Sequence, residues 1–102
     1  MKIALLGYGK MGKTIESLAN AKGHDIVYKK GGDFEAGNLS DADAAIEFSV
    51  PEAAVHNIKS CFEYHIPVVC GTTGWLAEYD RIVNICKERN GSFLYASNFS
   101  VG

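Results

Sequence analysis

Gly7, Gly9 and Gly12 stand in the G-x-G-x-x-G spacing directly after Lys2–Leu6, a short apolar run that reads as a strand. Glycines so placed suit the pyrophosphate of a dinucleotide. Gly7 lets the chain turn sharply out of the strand, Gly9 lets a diphosphate approach bare backbone, and Gly12 lets the following helix pack closely on the sheet. The N–H groups of the helix's first turn, at the positive end of its dipole, then face the anion. Tyr8, Lys10 and Met11 complete the turn and join the glycines as candidate cofactor contacts. The alternative is a strand-turn-helix with a purely structural role.

Other polar groups fall where strands should end. Lys29 and Lys30 close the second strand, at the place where many NAD-binding domains carry an acidic residue for the ribose 2'-hydroxyl. Two cations suit a 2'-phosphate instead, so NADPH is expected to be accepted; the alternative is a pair of solvated lysines. Asp33 is near enough to reach the adenosine ribose, which keeps NADH in play. Ser49 follows the third strand. Gly71, Thr72 and Thr73 follow the fourth, with amide and hydroxyl groups suited to a nicotinamide and its ribose. That segment also reads as a polar turn capping the next helix. Ser97, Asn98, Phe99 and Ser100 follow the fifth, and Asn98 and Phe99 offer an amide and an apolar wall to the same ring.

A proton donor is harder to find. His24 precedes a strand, His56 lies within a helix and His65 in a turn, so all three read as surface or structural. There is no Ser-His-Asp or paired-carboxylate arrangement. Glu47, between Ile46 and Phe48 in a strand, reads as satisfied by hydrogen bonds rather than catalytic. No catalytic residue is assigned, and no spacing of His and Cys suggests a metal.

The elements that must position these groups alternate. A helix follows the glycine turn, with Met11, Ile15, Leu18 and Ala19 on one face and Gly23 as its stop. Residues 24–30 form a second strand, residues 31–43 a surface loop, and residues 44–48 a third strand. Ser49 and Glu52 have capping-box spacing, with Pro51 in the first turn of a helix that runs to about Tyr64 and buries Ala54, Val55, Ile58, Cys61 and Phe62. A buried strand over residues 66–70, a helix over residues 76–89 and a strand over residues 92–96 complete the pattern. The order predicts an α/β fold: a Rossmann-like, doubly wound parallel sheet with its ligand at the carboxyl ends of the strands.

The 102 residues predict a single domain, with 47% hydrophobic and 22% charged residues, as in ordinary globular proteins. A net charge of -2 supplies no basic field for nucleic acid, and no apolar run is long enough to span a bilayer or reads as a signal peptide. A cytoplasmic location is expected. Cys61, Cys70 and Cys86 are widely spaced and read as small core residues.

Four motifs together carry a resemblance. They are Gly7-Tyr8-Gly9-Lys10-Met11-Gly12; Ala45-Ile46-Glu47-Phe48-Ser49-Val50-Pro51-Glu52; Val69-Cys70-Gly71-Thr72-Thr73-Gly74; and Ala96-Ser97-Asn98-Phe99-Ser100-Val101-Gly102. In them the chain resembles the N-terminal domain of the dihydrodipicolinate reductases, also called 4-hydroxy-tetrahydrodipicolinate reductases, over its whole length. The resemblance implies hydride transfer from NADH or NADPH to a cyclic imine-type dicarboxylate in lysine and diaminopimelate biosynthesis. It implies that residues 7–12 bind the pyrophosphate, that Gly71, Thr72 and Thr73 contact the nicotinamide end, and that Ala96, Ser97, Asn98 and Phe99 line the cofactor cleft. The glycine turn is one residue tighter than the G-x-x-G-x-x-G of several members, and Lys29 and Lys30 replace the acidic residue of others.

In that family the proton-donating His, a neighbouring Lys and the substrate's carboxylate site belong to a C-terminal domain. The chain is therefore expected to be the cofactor half of a two-domain, homo-oligomeric enzyme, inactive or nearly so by itself, and to meet the dicarboxylate only with the other domain. Two alternatives are a domain like that of aspartate dehydrogenase, which should lack the Asn98-Phe99-Ser100 ending, and a stand-alone nucleotide-binding or redox-sensing module.

Overall fold

Alternating strand and helix patterns predict a parallel sheet, and the computed structural model of the chain, which describes residues 1–96, contains one that is parallel in all but one pairing. In chain order the elements are β1 (Lys2–Leu6), α1 (Lys10–Ala21), β2 (Asp25–Lys30), β3 (Glu35–Gly37), β4 (Ala44–Glu47), α2 (Pro51–Glu63), β5 (Val68–Cys70), α3 (Tyr79–Glu88) and β6 (Phe93–Tyr95). The sheet order is β3-β2-β1-β4-β5-β6. The chain thus runs outward from β1 in one direction, then returns to β1's other side and runs outward again. The reversal falls between β1 and β4, where an open α/β sheet forms a crevice at the strands' carboxyl ends.

Strand β1 is covered on both faces, as its unbroken apolar run requires. Ile3 and Leu5 pack with Ala19, Ile15 and Ile26 under α1, whereas Ala4 and Leu6 join Ile58, Cys61, Phe62, Val68 and Ile82 under α2 and α3. Cys61 and Cys70 are fully buried, and that burial, followed by the nearby Glu47 charge, pushes both thiols up to about 12. Cys86 is half-buried against the same core.

Several expectations need correction. The stretch expected to be a loop, residues 31–43, holds β3, which pairs antiparallel with β2 through Tyr28↔Gly37, Lys29↔Ala36 and Lys30↔Glu35. A turn closed by the Gly31 N–H donating to the Phe34 carbonyl (2.8 Å) and a hydrogen bond from the Tyr28 hydroxyl to Glu35 hold it. All three β3 residues are exposed, so the strand carries no periodicity to read.

On α1, Met11 and Leu18 are exposed rather than buried; the contact stripe runs through Gly12, Ile15 and Ala19. Small residues there let the helix lie close on β1, and the larger ones are displaced to its flanks. The Ser49–Glu52 capping box does not form: Val50 is the N-cap, and the Ser49 hydroxyl turns back to Glu47 instead. Before α3, residues 76–78 form a separate 3-10 turn rather than its first turn.

Candidate functional site

The turn after β1 is held from both sides. The Gly7 N–H donates to the Lys30 carbonyl at the end of β2 (2.8 Å), and the Phe48 N–H donates to the Leu6 carbonyl (2.8 Å). Gly7 has φ +113°, and a Cβ built on it would lie 2.1 Å from the Phe48 carbonyl oxygen. A Cβ on Gly12 would lie 2.5 Å from the Gly7 carbonyl oxygen. Side chains are thus excluded at these two positions by backbone. At Gly9 the reverse holds: a Cβ there would meet nothing within 4 Å among the described residues. It would project into open space beside the start of α1, whose first turn no described side chain caps. Bare amides that face space rather than protein are the feature a diphosphate needs.

That space is a cavity of about 310 Å³ lined by Gly7, Tyr8, Gly9, Lys30, Gly31, Gly32, Phe48, Ser49, Val50, Ala53 and Asn57. It lies at the carboxyl ends of β1, β2 and β4, on the strand-order reversal. Of the residues singled out in the sequence, it gathers Gly7, Tyr8, Gly9, Lys30 and Ser49. Lys10 and Met11 lie beside it on the exposed first turn of α1, and Gly12 is spent on the helix–strand contact.

The two lysines part company because successive strand residues point to opposite faces. Lys30 turns toward α2, where its Nζ donates to Asn57 Oδ1 at 2.9 Å. Lys29 turns toward α1, where its Nζ lies 2.6 Å from Glu16 Oε2 and 5.0 Å from the centre of the Tyr8 ring. The Tyr8 hydroxyl donates to the same Glu16. The Lys29 hydrogen bond, followed by that of Tyr8, holds the Glu16 carboxyl below its ordinary range. Asp33 is exposed in the β2–β3 turn.

The β5 end is organised by a buried carboxylate. Glu47 is 0% exposed and accepts from four donors among the described residues. These are the Ser49 hydroxyl, Asn57 Nδ2 (3.0 Å), Thr72 Oγ1 (2.5 Å) and the Cys70 thiol (3.3 Å). Glu47 is thus satisfied as expected. The Thr72 hydroxyl also accepts from the Ser49 N–H at 2.7 Å, and the Gly71 N–H donates to the Glu47 carbonyl at 2.8 Å. Trp75, in an aromatic group with Tyr79, Phe93 and Tyr95, donates its Nε1–H to the Thr72 carbonyl at 2.6 Å. Gly71 and Thr72 are therefore buried and locked, while Thr73 is exposed beside them. Ala96 donates its N–H to the Cys70 carbonyl at 3.0 Å. Ser97, Asn98 and Phe99 lie outside the described residues.

Asn57 is the member of this site that sequence reading missed. It sits between Ala54, Ile58 and Cys61 on the buried stripe of α2, and an amide on an apolar stripe is the signal that marks it. His24 meets the N-terminal ammonium through Nδ1 at 3.2 Å, and His56 and His65 are exposed. Among the described residues no group of three or more His, Cys, Asp or Glu is placed to hold a metal, and no helix is long and apolar enough to cross a membrane. A larger hollow of about 520 Å³ lies between the β2–β3 hairpin and α2, lined by Lys30, Glu35, His56, Ser60 and Glu63 among others; it shares Lys30 with the first cavity and takes no part of the glycine turn.

Comparison with known proteins agrees with this architecture. Residues 31–99 match the family described as dihydrodipicolinate reductase, N-terminus. The whole chain aligns at 54% identity with 44% of a 4-hydroxy-tetrahydrodipicolinate reductase from Christiangramia forsetii. It aligns at 33% identity with 45% of one from Staphylococcus aureus. The chain thus spans less than half the length of these relatives. Among solved structures, a homoserine dehydrogenase from Thermoplasma acidophilum superposes with a TM-score of 0.76 at 15% identity, over 93% of this chain and 42% of that one. A hyperthermophilic archaeal homoserine dehydrogenase in complex with NADPH superposes with a TM-score of 0.68 at 17% identity, over 95% of this chain and 44% of that one. These last two likenesses concern the Rossmann-like fold.

Proposed function

The chain belongs to the dihydrodipicolinate reductase family, and from that premise we propose that it binds NADPH or NADH for the reduction of a cyclic imine-type dicarboxylate in lysine and diaminopimelate biosynthesis. The observation that carries this reading is the glycine turn: an uncapped helix start and an unobstructed Gly9 at the reversal of strand order, opening on a cavity. The residues present fit a dinucleotide because a Cβ at Gly9 would occupy the space that a diphosphate must enter.

When bound, the nicotinamide supplies the hydride. The chain's own part is to hold and orient. In this reading the amides of residues 7–12 take the diphosphate. Lys30 takes the adenosine side, with Lys29 and Asp33 near it, and Ser49 borders the same cavity. Gly71, Thr72 and Thr73 support the nicotinamide end. Thr72 does so by fixing the turn, since its hydroxyl is already bonded to Glu47 and Ser49. This reading also gives contacts with the cofactor to Ala96 and, beyond the described residues, to Ser97, Asn98 and Phe99. Proton donation and recognition of the substrate carboxylates fall to the portion of the relatives that this chain does not span. The same reading gives the whole enzyme a homo-oligomeric state and a cytoplasmic location.

Calorimetric titration with NADPH and NADH tests this, with Gly9→Ala as the control. Gly9 has φ -96°, outside the left-handed region that favours glycine, so Gly9→Ala should cost no more than about 1–2 kcal/mol, the loss from a poorer N-cap residue. Its methyl group should nevertheless lower dinucleotide affinity roughly tenfold or more, a loss of about 1.4 kcal/mol. Heatless titrations of the wild type, or equal affinities in the two proteins, would refute the reading.

A further inference from the structure

We propose that Glu47 is a positioning residue: by dictating which way the Asn57 amide points, it aims the Lys30 ammonium into the cofactor cavity. The inference rests on the reading of that cavity as the dinucleotide site and deepens it.

The argument is one of donors and acceptors. Glu47 is fully buried and accepts from Ser49, Asn57, Thr72 and Cys70, which takes up the roughly four lone-pair sites of an ionised carboxylate. A carboxylate has no hydrogen to give, so only the NH2 end of Asn57 can face it. The carbonyl end must then point the other way, and there it accepts from Lys30 Nζ at 2.9 Å. Reversing the amide would set acceptor against acceptor at Glu47 and donor against donor at Lys30, so the network leaves one orientation. Asn57 is 2% exposed and cannot turn to water for relief.

An ammonium carries three donors, and Asn57 uses one. Lys30 borders both this cavity and the larger hollow, but Asn57, which holds its ammonium, lines the cavity and not the hollow, so the bond to Asn57 brings Nζ to the cavity wall with two hydrogens to spare. A lysine held in place before the nucleotide arrives favours a 2'-phosphate over a 2'-hydroxyl. Lys29, engaged by Glu16 on the opposite face, has no such relay.

The test is Glu47→Gln, which preserves volume but places an NH2 group among donors. The acceptor-only face that imposed one orientation on Asn57 is then gone, and wherever the amide reverses its NH2 meets the Lys30 ammonium. NADPH affinity should fall about tenfold while NADH affinity changes less than about threefold. Lys30→Gln should shift the NADPH/NADH ratio by the same factor, and the double variant should shift it no further than Lys30→Gln alone. Equal losses for both nucleotides, or additive shifts in the double variant, would overturn the proposal, because a role confined to holding the fold lowers both affinities together. If Glu47→Gln fails to fold, Asn57→Ala breaks the same link and must give the same ratio. A second readout needs no nucleotide: the NMR signal of the Lys30 ammonium, slowed in proton exchange by its bond to Asn57, should be lost in Glu47→Gln and Asn57→Ala. Were the wild type to bind neither nucleotide, the cofactor reading would fall and this signal alone would decide the relay, an unchanged signal overturning it.

Discussion

Gly7→Ala is expected to destabilise the domain by roughly 3 kcal/mol or more and to abolish dinucleotide binding with it. Two independent terms add. At φ +113° an L side chain is strained whatever space surrounds it, a cost of about 1–3 kcal/mol. The new methyl would also stand 2.1 Å from the Phe48 carbonyl oxygen and 2.5 Å from its carbon, both backbone atoms that cannot swing aside. Relief would require β1 and β4 to separate, yet Leu6 and Phe48 are joined by a 2.8 Å hydrogen bond and Gly7 is tied to Lys30. In a domain of this size each kcal/mol moves Tm by about 4–8 °C, so thermal unfolding should show a fall of more than ~10 °C. A variant melting within about 3 °C of the wild type would mean that the turn is far softer than this packing implies.

Glu47→Ala is expected to cost about 2–5 kcal/mol, because it takes the shared acceptor from a buried hydrogen-bond network and leaves a cavity in its place. Ser49 can redirect its hydroxyl to the Val50 carbonyl, 3.4 Å away. The Thr72 hydroxyl has no such exit, and a buried donor left unpaired costs about 1–3 kcal/mol, whereas Asn57 Nδ2 keeps the Ser49 hydroxyl at 3.3 Å as a second acceptor. The cavity left by the side chain adds to this. Because Thr72 and Ser49 join the ends of β4 and β5 through this carboxylate, the loss should also loosen the crevice. Urea unfolding provides the check, and a midpoint close to that of the wild type would show that water or a repacked neighbour substitutes for the carboxylate.

Strand β1, the glycine turn and α1 were legible because they are local: an apolar run, three glycines at fixed spacing and a helical period lie within some twenty residues. The buried face of α1 was misread for a physical reason. Its stripe centres on Gly12 and Ala19, whose value is smallness, while apolarity drew attention to Met11 and Leu18 on the flanks. Strand β3 has no buried side and so no pattern; a hairpin turn and a Tyr28–Glu35 pair make it, and both depend on partners across the turn. The capping box at Ser49 does not form because the hydroxyl bonds to the buried carboxylate of Glu47, two residues back, and the N-cap falls on Val50. Lys29 and Lys30 read as a pair in one dimension, but strand alternation sends them to opposite faces. Glu47 read correctly as satisfied, though its partners come from β5 and α2 and no spacing reveals them.

The central claim is that main-chain amides at the glycine turn grip a diphosphate, and an amide-resolved NMR titration of the labelled protein with NADPH tests it most directly. The expected result is that the largest shifts appear at residues 7–12, Gly31, Gly32 and Ser49, saturating together. Shifts gathered instead around Glu35, His56, Ser60 and Glu63 in the larger hollow, with the glycine turn unmoved, would contradict it.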